Sequence, residues 1–354
     1  MAMNLDLFEV MQQEGHEALH FFSDPKSGLR AIIAIHSTDL GPALGGCRMW
    51  PYRGVEEAIR DVLRLSKAMT YKAAVADLPL GGGKAVVIGD PSKEKTEDLL
   101  HALGQCVESL NGRYLIAEDV GMTVQDMETI RRSTSHVTGC GREKGGSGDP
   151  SIMTAVGVLE GIKVCFEEVF GNSSLKGRTV AIQGVGKVGA HLAELLHREG
   201  AKLYLTDLEP DRLRQTAVPL NATLTSPEEI YSVPCDLFAP CALGGVINDR
   251  TLGLLRCRIV AGAANNQLEC GDHGSQLYKQ GVLYAPDYVI NAGGLINLAC
   301  EIDGYNPDKA LERVRGIAVT LKKVFTLSQQ EGIAPHVASE QMALARLKRP
   351  NSIH

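Results

Sequence analysis

The chain has 354 residues, of which 44% are hydrophobic and 22% charged, with a formal net charge of −6. That length suits two domains, each able to bury a core, and the acidic balance argues against nucleic acid or an anionic membrane as the main partner. No uncharged apolar run reaches the roughly 18 residues of a membrane span, and "MAMNLDLFEV" lacks the basic-then-apolar order of a signal peptide.

In chain order, "LRAIIAIH" (29–36) reads as a strand and "GVEEAIRDVLRLSKAMTYKAA" (54–74) opens as a helix, with acids first and apolar residues at helical spacing. "KAVVIGD" (84–90) reads as a strand, 95–112 as a helix stopped by Asn-Gly, "RYLIAEDVG" (113–121) as a strand and 124–134 as a helix. "GCGREKGGSGDPS" (139–151) has the composition of a linker or hinge. A long helix is expected over 151–169, and then the rhythm turns regular. "GRTVAIQG" is a strand, 187–199 a helix, "AKLYLTD" a strand and 209–216 a short helix. "CDLFAP", "RIVAGAA" and "LYAPDYVINAGG" read as further strands, and a last long helix is expected over 307–331. Strand–helix alternation at this pitch implies a parallel, doubly wound sheet. "GGVIN" (244–248) and "GGLIN" (293–297) echo each other, each after an expected strand. Nine cysteines at irregular spacing, without a CxxC pair, read as free thiols in a reducing cytoplasm, not as a disulfide frame or zinc site; no metal is expected.

The expected organisation is thus α/β in two domains with a cleft between them. Residues 1–145 form a mixed α/β domain for substrate and oligomer contacts, and 146–331 a Rossmann dinucleotide-binding domain. A C-terminal segment, 332–354, packs back on the first domain or in an oligomer contact.

The nucleotide signal is Gly184, Gly186 and Gly189, spaced G-x-G-x-x-G after a strand and opening a helix. Gly184 allows the tight turn, Gly186 lets a pyrophosphate approach the backbone and Gly189 lets the helix pack on the strand. The next strand ends in Asp207, placed to accept hydrogen bonds from the adenosine ribose. An acid there repels a 2′-phosphate, and Leu208, Glu209 and Pro210 supply no cation beside it, which favours NAD over NADP.

The chemical signal is "LPLGGGKAVVIGDP". A P-loop needs a glycine five residues before its Gly-Lys pair and Ser or Thr after it, and Leu78 and Ala85 occupy those places. The remaining reading is an active-site lysine. Three glycines clear side chains around Lys84, and burial among Leu80, Val86, Val87 and Ile88 is expected to bring its amine towards neutrality, fit for a general base. Glu118 and Asp119 end a strand, where one of them can trade protons with the lysine. Asn265 and Asn266 end another strand, where Asn is both a carboxylate donor and a loop former.

These residues carry a resemblance. "LPLGGGKAVVIGDP" resembles the signature of the glutamate/leucine/phenylalanine/valine dehydrogenases. "LGPALGGCRMWPY", "MTYKAAVADLPLGGGKAVVIGDP", "LNGRYLIAEDVG", "DLFAPCALGG", "AANNQL" and "YAPDYVINAGG" extend the likeness over nearly the whole chain, most closely to the leucine dehydrogenases of that family. The resemblance implies NAD-dependent oxidative deamination of L-leucine and other branched-chain amino acids to 2-oxo acids, with release of ammonia. It implies that Lys72 holds the substrate carboxylate, that Lys84 is the base and that Asp119 shuttles protons. Asn266 also meets the carboxylate, and Leu44, Gly45, Gly46, Ala117, Leu295 and Leu298 surround the substrate. To the cofactor it assigns Gly184, Gly186, Lys187, Val188, Gly189 and Asp207, with Thr154, Ala239, Pro240, Cys241 and Asn291. The resemblance also implies a homo-oligomer, dimer or octamer, with the basic tail "ALARLKRPNSIH" (343–354) as one contact.

Two positions depart from the pattern. Leucine dehydrogenases tend to have Ala at Ala117, as here, but Val at Leu295, where aromatic-specific relatives tend to have Leu. Lys187 stands where the family usually has Asn; there it either strengthens pyrophosphate binding, relaxes the preference for NAD, or points to solvent. The alternatives are an aromatic amino acid dehydrogenase, acting on Phe or Trp, and a non-catalytic nucleotide-binding regulatory protein.

Overall fold

The structure, a computed structural model, describes residues 6–348. Residues 1–5, where the expected absence of a signal peptide begins, and residues 349–354 of the basic tail lie outside the described residues. In chain order the first elements are α1 (Leu7–Glu14), β1 (Ala18–Asp24), β2 (Leu29–Ser37), β3 (Ala43–Trp50), α2 (Val55–Val75), β4 (Gly81–Ile88), α3 (Glu97–Glu108), β5 (Tyr114–Glu118) and α4 (Val124–Ile130). Next come α5 (Ser151–Phe170), β6 (Thr179–Gln183), α6 (Lys187–Arg198), β7 (Lys202–Thr206), α7 (Pro210–Ala217), β8 (Thr223–Leu224), β9 (Leu237–Pro240), α8 (Asp249–Leu252), β10 (Ile259–Val260), α9 (Gly271–Lys279) and β11 (Leu283–Tyr284). The chain closes with α10 (Asp287–Ile290), α11 (Gly293–Ala299), α12 (Pro307–Arg315), α13 (Ile317–Glu331) and α14 (Pro335–Leu347).

Two compact units result. The first takes the chain up to Asp149, then Leu298–Pro307 and the segment from Ala343; the second takes Pro150–Asn297 and Asp308–Met342.

The first unit is built on a mixed sheet of order β1-β2-β4-β3-β5, in which β4, β3 and β5 run parallel. Strand alternation sends neighbouring side chains to opposite faces. On one face Ile32, Ala34 and Val86 meet Ala58, Ile59, Val62 and Leu63 of α2. On the other, Ile33, Cys47, Ala85 and Tyr114 meet Leu99, Leu103 and Val107 of α3 and Met127 and Ile130 of α4. Each fully buried aliphatic side chain contributes about 1.5–3 kcal/mol to such layers.

The second unit holds a six-stranded sheet of order β11-β10-β9-β6-β7-β8, all parallel. That order is the doubly wound Rossmann arrangement, with its switch point between β6 and β9, where open α/β sheets take ligands. One side of the sheet meets Leu252 of α8 and Leu277 of α9. Elsewhere α5 packs with α6 and α13.

Four sequence expectations need correction. The strand at 84–90 begins earlier: all three glycines belong to β4. "LYAPDYVINAGG" forms only the two-residue strand β11, and the rest turns helical as α10 and α11. The echo of "GGVIN" and "GGLIN" is therefore not structural, since the second copy is helix and the first is a connection leading to α8. The helix expected over 307–331 breaks at Gly316 into α12 and α13. The glycine-rich segment after 139 is also more built than its composition suggests. The Glu301 carboxylate accepts the Gly139 N–H at 3.0 Å and the Ser147 N–H at 2.8 Å, and Cys140 and Ser147 are buried.

Candidate active site

Lys84 sits in the middle of β4, on the face that packs against α2. The register Leu44↔Gly82 and Cys47↔Ala85 puts Gly46 beside it on β3, and Gly46↔Ala117 continues the row onto β5. One row across three strands thus carries a lysine, a glycine and an alanine, with Leu44 one step before it and Arg48 one step after. The glycines before Lys84 serve packing first. A Cβ at Gly82 would lie 2.0 Å from the Thr70 backbone nitrogen, and one at Gly45 would lie 1.7 Å from the Gly83 carbonyl oxygen. Helix α2 and strand β3 approach the lysine strand so closely that no side chain fits between them. The expectation that the run simply opens space around Lys84 is corrected accordingly.

Lys84 is buried, at 6% exposure, and its Nζ lies 2.9 Å from Asp119 Oδ2, just beyond the end of β5. The same oxygen accepts the Arg48 Nε–H at 3.1 Å. Burial alone would raise the Asp119 carboxyl, but Lys84 and Arg48 beside it hold it down at about 2, so it stays ionised. Arg48 donates onward to Asp61 Oδ2 on α2 at 2.9 Å, and that oxygen also accepts the Tyr52 hydroxyl at 2.8 Å. Burial disfavours the charged guanidinium of Arg48, yet Asp119 and Asp61 on either side raise it above its ordinary value. The result is a chain of alternating charges, Lys84–Asp119–Arg48–Asp61, drawn from β4, β3, α2 and the segment after β5. Such a network is costly to break because loss of a member removes a counter-charge from a partly or fully buried neighbour.

Arg48, Asp61 and Tyr52 escaped the sequence reading. The available signal was a lone arginine two residues after Gly46 in an otherwise apolar run; the partners that explain it come from other elements. Of the two acids ending β5, Asp119 is the one that meets the lysine. Lys72 lies in the last turn of α2, partly exposed, at the helix end that favours cations. Leu44 and Ala117 are buried at 1% exposure. Leu298 lies in the first unit, and its Cδ2 would be 3.3 Å from a Cβ at Gly139.

In the second unit the fingerprint glycines meet three different surroundings. Gly184 follows β6 with φ of +92°, a conformation that favours glycine, and a Cβ there would meet Ala242. Gly189, in α6, would strike the Gly184 carbonyl oxygen at 2.1 Å. Gly186, the residue capping α6, has nothing among the described residues within 4 Å of where its Cβ would be. Lys187, exposed, and Val188 open α6.

These turns border a cavity of about 400 Å³ lined by Gly184, Gly186, Asp207, Arg212, Cys241 and Val246, among others. Two of its lining residues, Gln183 and Thr206, have buried oxygens, Oε1 and Oγ1, without a hydrogen-bond partner among the described residues. Asp207 accepts the Val185 N–H on Oδ2 at 2.8 Å and the Glu209 N–H on Oδ1 at 2.9 Å. An open glycine at a helix N-terminus, orphaned buried acceptors and an acid at the end of β7 all fit a dinucleotide. One expectation fails here. Asp207 does have a cation beside it, because Arg212 Nη2 of α7 donates to Asp207 Oδ1 at 2.7 Å. The sequence reading stopped at Pro210, and the first turn of α7 brings residue 212 back over the strand end.

The remaining positions expected at the cofactor lie in the same unit. Ala239 and Pro240 are buried in β9, and the Cys241 N–H donates to the Gln183 carbonyl at 2.7 Å. The Thr154 hydroxyl donates to the Pro150 carbonyl at 3.0 Å. Asn291 donates to Ala263 O and Asn265 Oδ1 at 3.0 and 2.7 Å, while its buried Oδ1 has no partner among the described residues. Asn266 has φ of +51°, and its carbonyl accepts the Gly245 N–H at 2.7 Å. Leu295 is buried in α11. Among the described residues no helix is long and apolar enough to cross a membrane.

The model of the Glu/Leu/Phe/Val dehydrogenase dimerisation domain matches residues 16–136, and that of the Glutamate/Leucine/Phenylalanine/Valine dehydrogenases matches 145–207 and 209–348. The chain is 49% identical to a leucine dehydrogenase of Bacillus cereus over 99% of its own length and 97% of the relative's. It is 46% identical to a phenylalanine dehydrogenase of Caldalkalibacillus thermarum, over 94% of this chain and 92% of that one. The crystal structure of an L-tryptophan dehydrogenase from Nostoc punctiforme superposes with a TM-score of 0.81 at 43% identity, covering 96% and 98% of the two chains. With its buried lysine–aspartate pair on one sheet and its dinucleotide fingerprint on another, this chain belongs to the glutamate/leucine/phenylalanine/valine dehydrogenase family and is a pyridine-nucleotide-dependent amino acid dehydrogenase.

Proposed function

We propose that the protein catalyses the NAD-dependent oxidative deamination of branched-chain L-amino acids, L-leucine foremost. The observation that carries the chemistry is the buried Lys84–Asp119 contact of 2.9 Å, clamped by Arg48. A bound pyridine nucleotide supplies the hydride acceptor. The chain's own residues handle protons. Lys84 Nζ takes the proton from the water that adds to the imine carbon, and returns one to the departing nitrogen as the C–N bond breaks and ammonia leaves. Asp119, kept ionised, orients Nζ and favours the proton's return to it; any proton it carries itself is carried briefly. Lys72, by the family resemblance, holds the substrate carboxylate, and Asn266 is assigned the same partner.

The aliphatic preference is supported by Ala117, one strand from Gly46 and one row from Leu44. A second reading, aromatic amino acids, is favoured by Leu295 and by the similarity to phenylalanine and tryptophan dehydrogenases. One methylene discriminates by only about 1–3 kcal/mol, so a broadened preference among Leu, Val and Ile is expected. The deciding experiment is a substrate panel: purified protein with NAD at alkaline pH and each of L-Leu, L-Val, L-Ile, L-Phe and L-Trp, following the reduced cofactor. Turnover confined to Phe and Trp overturns the aliphatic reading. We also propose a homo-oligomer, dimer or octamer, supported by the name of the matching dimerisation domain; light scattering after size-exclusion chromatography decides between them.

A further inference from the structure

We propose that Arg212 is a specificity-determining residue that lets this protein accept a nucleotide carrying a 2′-phosphate, NADP alongside NAD. This inference rests on the reading of the second-unit cavity as the nucleotide site.

An acid at the end of the second Rossmann strand ordinarily selects NAD in two ways. It binds the ribose hydroxyls, and it repels a phosphate at the 2′ position. Here the repulsion is cancelled at its source. The Asp207 side chain is only 5% exposed, and the guanidinium of Arg212 lies 2.7 Å from its Oδ1. The two charges sum to zero where the ribose edge is expected. Arg212 also lines the cavity and is half exposed, so its planar fork can turn towards a ligand.

The guanidinium is not the carboxylate's only donor. Asp207 Oδ2 also accepts the Val185 N–H at 2.8 Å and Oδ1 the Glu209 N–H at 2.9 Å. Each oxygen therefore has a backbone donor of its own, so a guanidinium shared between Asp207 and a phosphate leaves neither oxygen orphaned. The position of Arg212 is set by Pro210, which starts α7 and fixes the first turn. The nearby acids are Glu209, which is exposed, and Asp211, which lies 3.7 Å from Arg214. The ligand chemistry this arrangement takes is thus a ribose bearing either a free 2′-hydroxyl, read by Asp207, or a 2′-phosphate, read by Arg212 through a charge-assisted fork.

The test measures binding without turnover. Adenosine 2′,5′-bisphosphate and AMP are titrated calorimetrically into the wild type, Arg212→Gln and Arg212→Lys, and kcat/KM is measured for NADP and NAD with each protein. The wild type is expected to bind the bisphosphate at least as tightly as AMP and to reduce both nucleotides. Arg212→Gln should weaken the bisphosphate about tenfold and AMP by less than about threefold, and lower the NADP/NAD ratio in step. Arg212→Lys, which keeps the charge without the fork, should fall between. Exclusion of the bisphosphate by the wild type, or equal weakening of both ligands in Arg212→Gln, overturns the proposal for Arg212 while AMP binding leaves the cavity reading standing. Failure of AMP itself to bind to the wild type overturns the cavity reading and this inference together.

Discussion

Lys84 illustrates what a single position can and cannot reveal. A lysine after three glycines in an apolar run is conspicuous, so the residue was legible in the sequence. Its partners were only partly so: Asp119 was one of two candidate acids, and Arg48 went unread because Asp119 and Asp61 reach it from other elements. Replacing Lys84 with Ala should lower kcat by a factor of about 10² to 10⁴, the worth of a placed acid–base group, while AMP still binds to the second unit. Unchanged turnover would remove Lys84 from the chemistry. Arg48→Met tests the clamp. It leaves Asp119 with Lys84 alone and Asp61 with the exposed Arg64 alone as counter-charge, so we expect destabilisation of about 1.5–3 kcal/mol in urea unfolding, with turnover reduced beyond the loss of folded protein. The Asp119 carboxyl is depressed from its ordinary value to about 2, so its contribution is fully present above pH 4 and is lost as pH falls through about 2. Asp119→Asn should therefore flatten the acid limb of the stability profile below pH 4; a limb identical to wild type would mean the pair is not coupled to folding.

At the scale of elements, packing against a second element overrides composition. The glycine run belongs inside β4 because Thr70 of α2 and Gly45 of β3 come too close for side chains, which no local pattern discloses. Gly82→Ala puts a Cβ 2.0 Å from the Thr70 backbone nitrogen. It should cost about 1–3 kcal/mol through overpacking, read as a lower urea midpoint, and it should also disturb Lys84 two residues on. A midpoint at the wild-type value would show that α2 gives way freely. Strand β3 was missed for the same reason, since "ALGGCRMW" looks like loop until its parallel partners on both sides are known. "LYAPDYVINAGG" failed in the opposite sense. Its apolar run suits a strand or a buried helix equally, and Pro286 followed by Asp287 opens a helix. The regular alternation from 179 to 217 was legible throughout, because there the local period and the global fold agree.

At the scale of the whole molecule, acidity should be the weak flank. His36 is buried against the Thr70 hydroxyl at 2.9 Å and the Glu14 carbonyl at 3.0 Å, and burial pushes its imidazole down to about 4. His16, buried beside it, is lowered as well, again mainly by burial. Groups held neutral in the fold but protonated in the unfolded chain stabilise above pH 6.5, and that stability drains as pH falls towards 4. For His36 alone the loss is about 3 kcal/mol across that window. Thermal melts at pH 7, 6, 5 and 4 should show a falling midpoint, with a shallower slope in His36→Gln. A flat profile would mean that the histidines open to solvent before the unit unfolds. The division of the chain has a different kind of consequence. It falls within α11, between Asn297 and Leu298, so the first unit is assembled from three separated stretches of sequence. Glu301, which receives two N–H groups of the 139–148 loop, and Arg346, which donates to the Leu78 carbonyl, arrive from the last sixth of the chain. Exchange of parts between relatives is thereby constrained: a hybrid gene with a single crossover near residue 150 mates each N-terminal half with a foreign Glu301 and Arg346. Hybrids that carry 298–307 and 343–348 along with the first 149 residues are the ones whose parts were selected together.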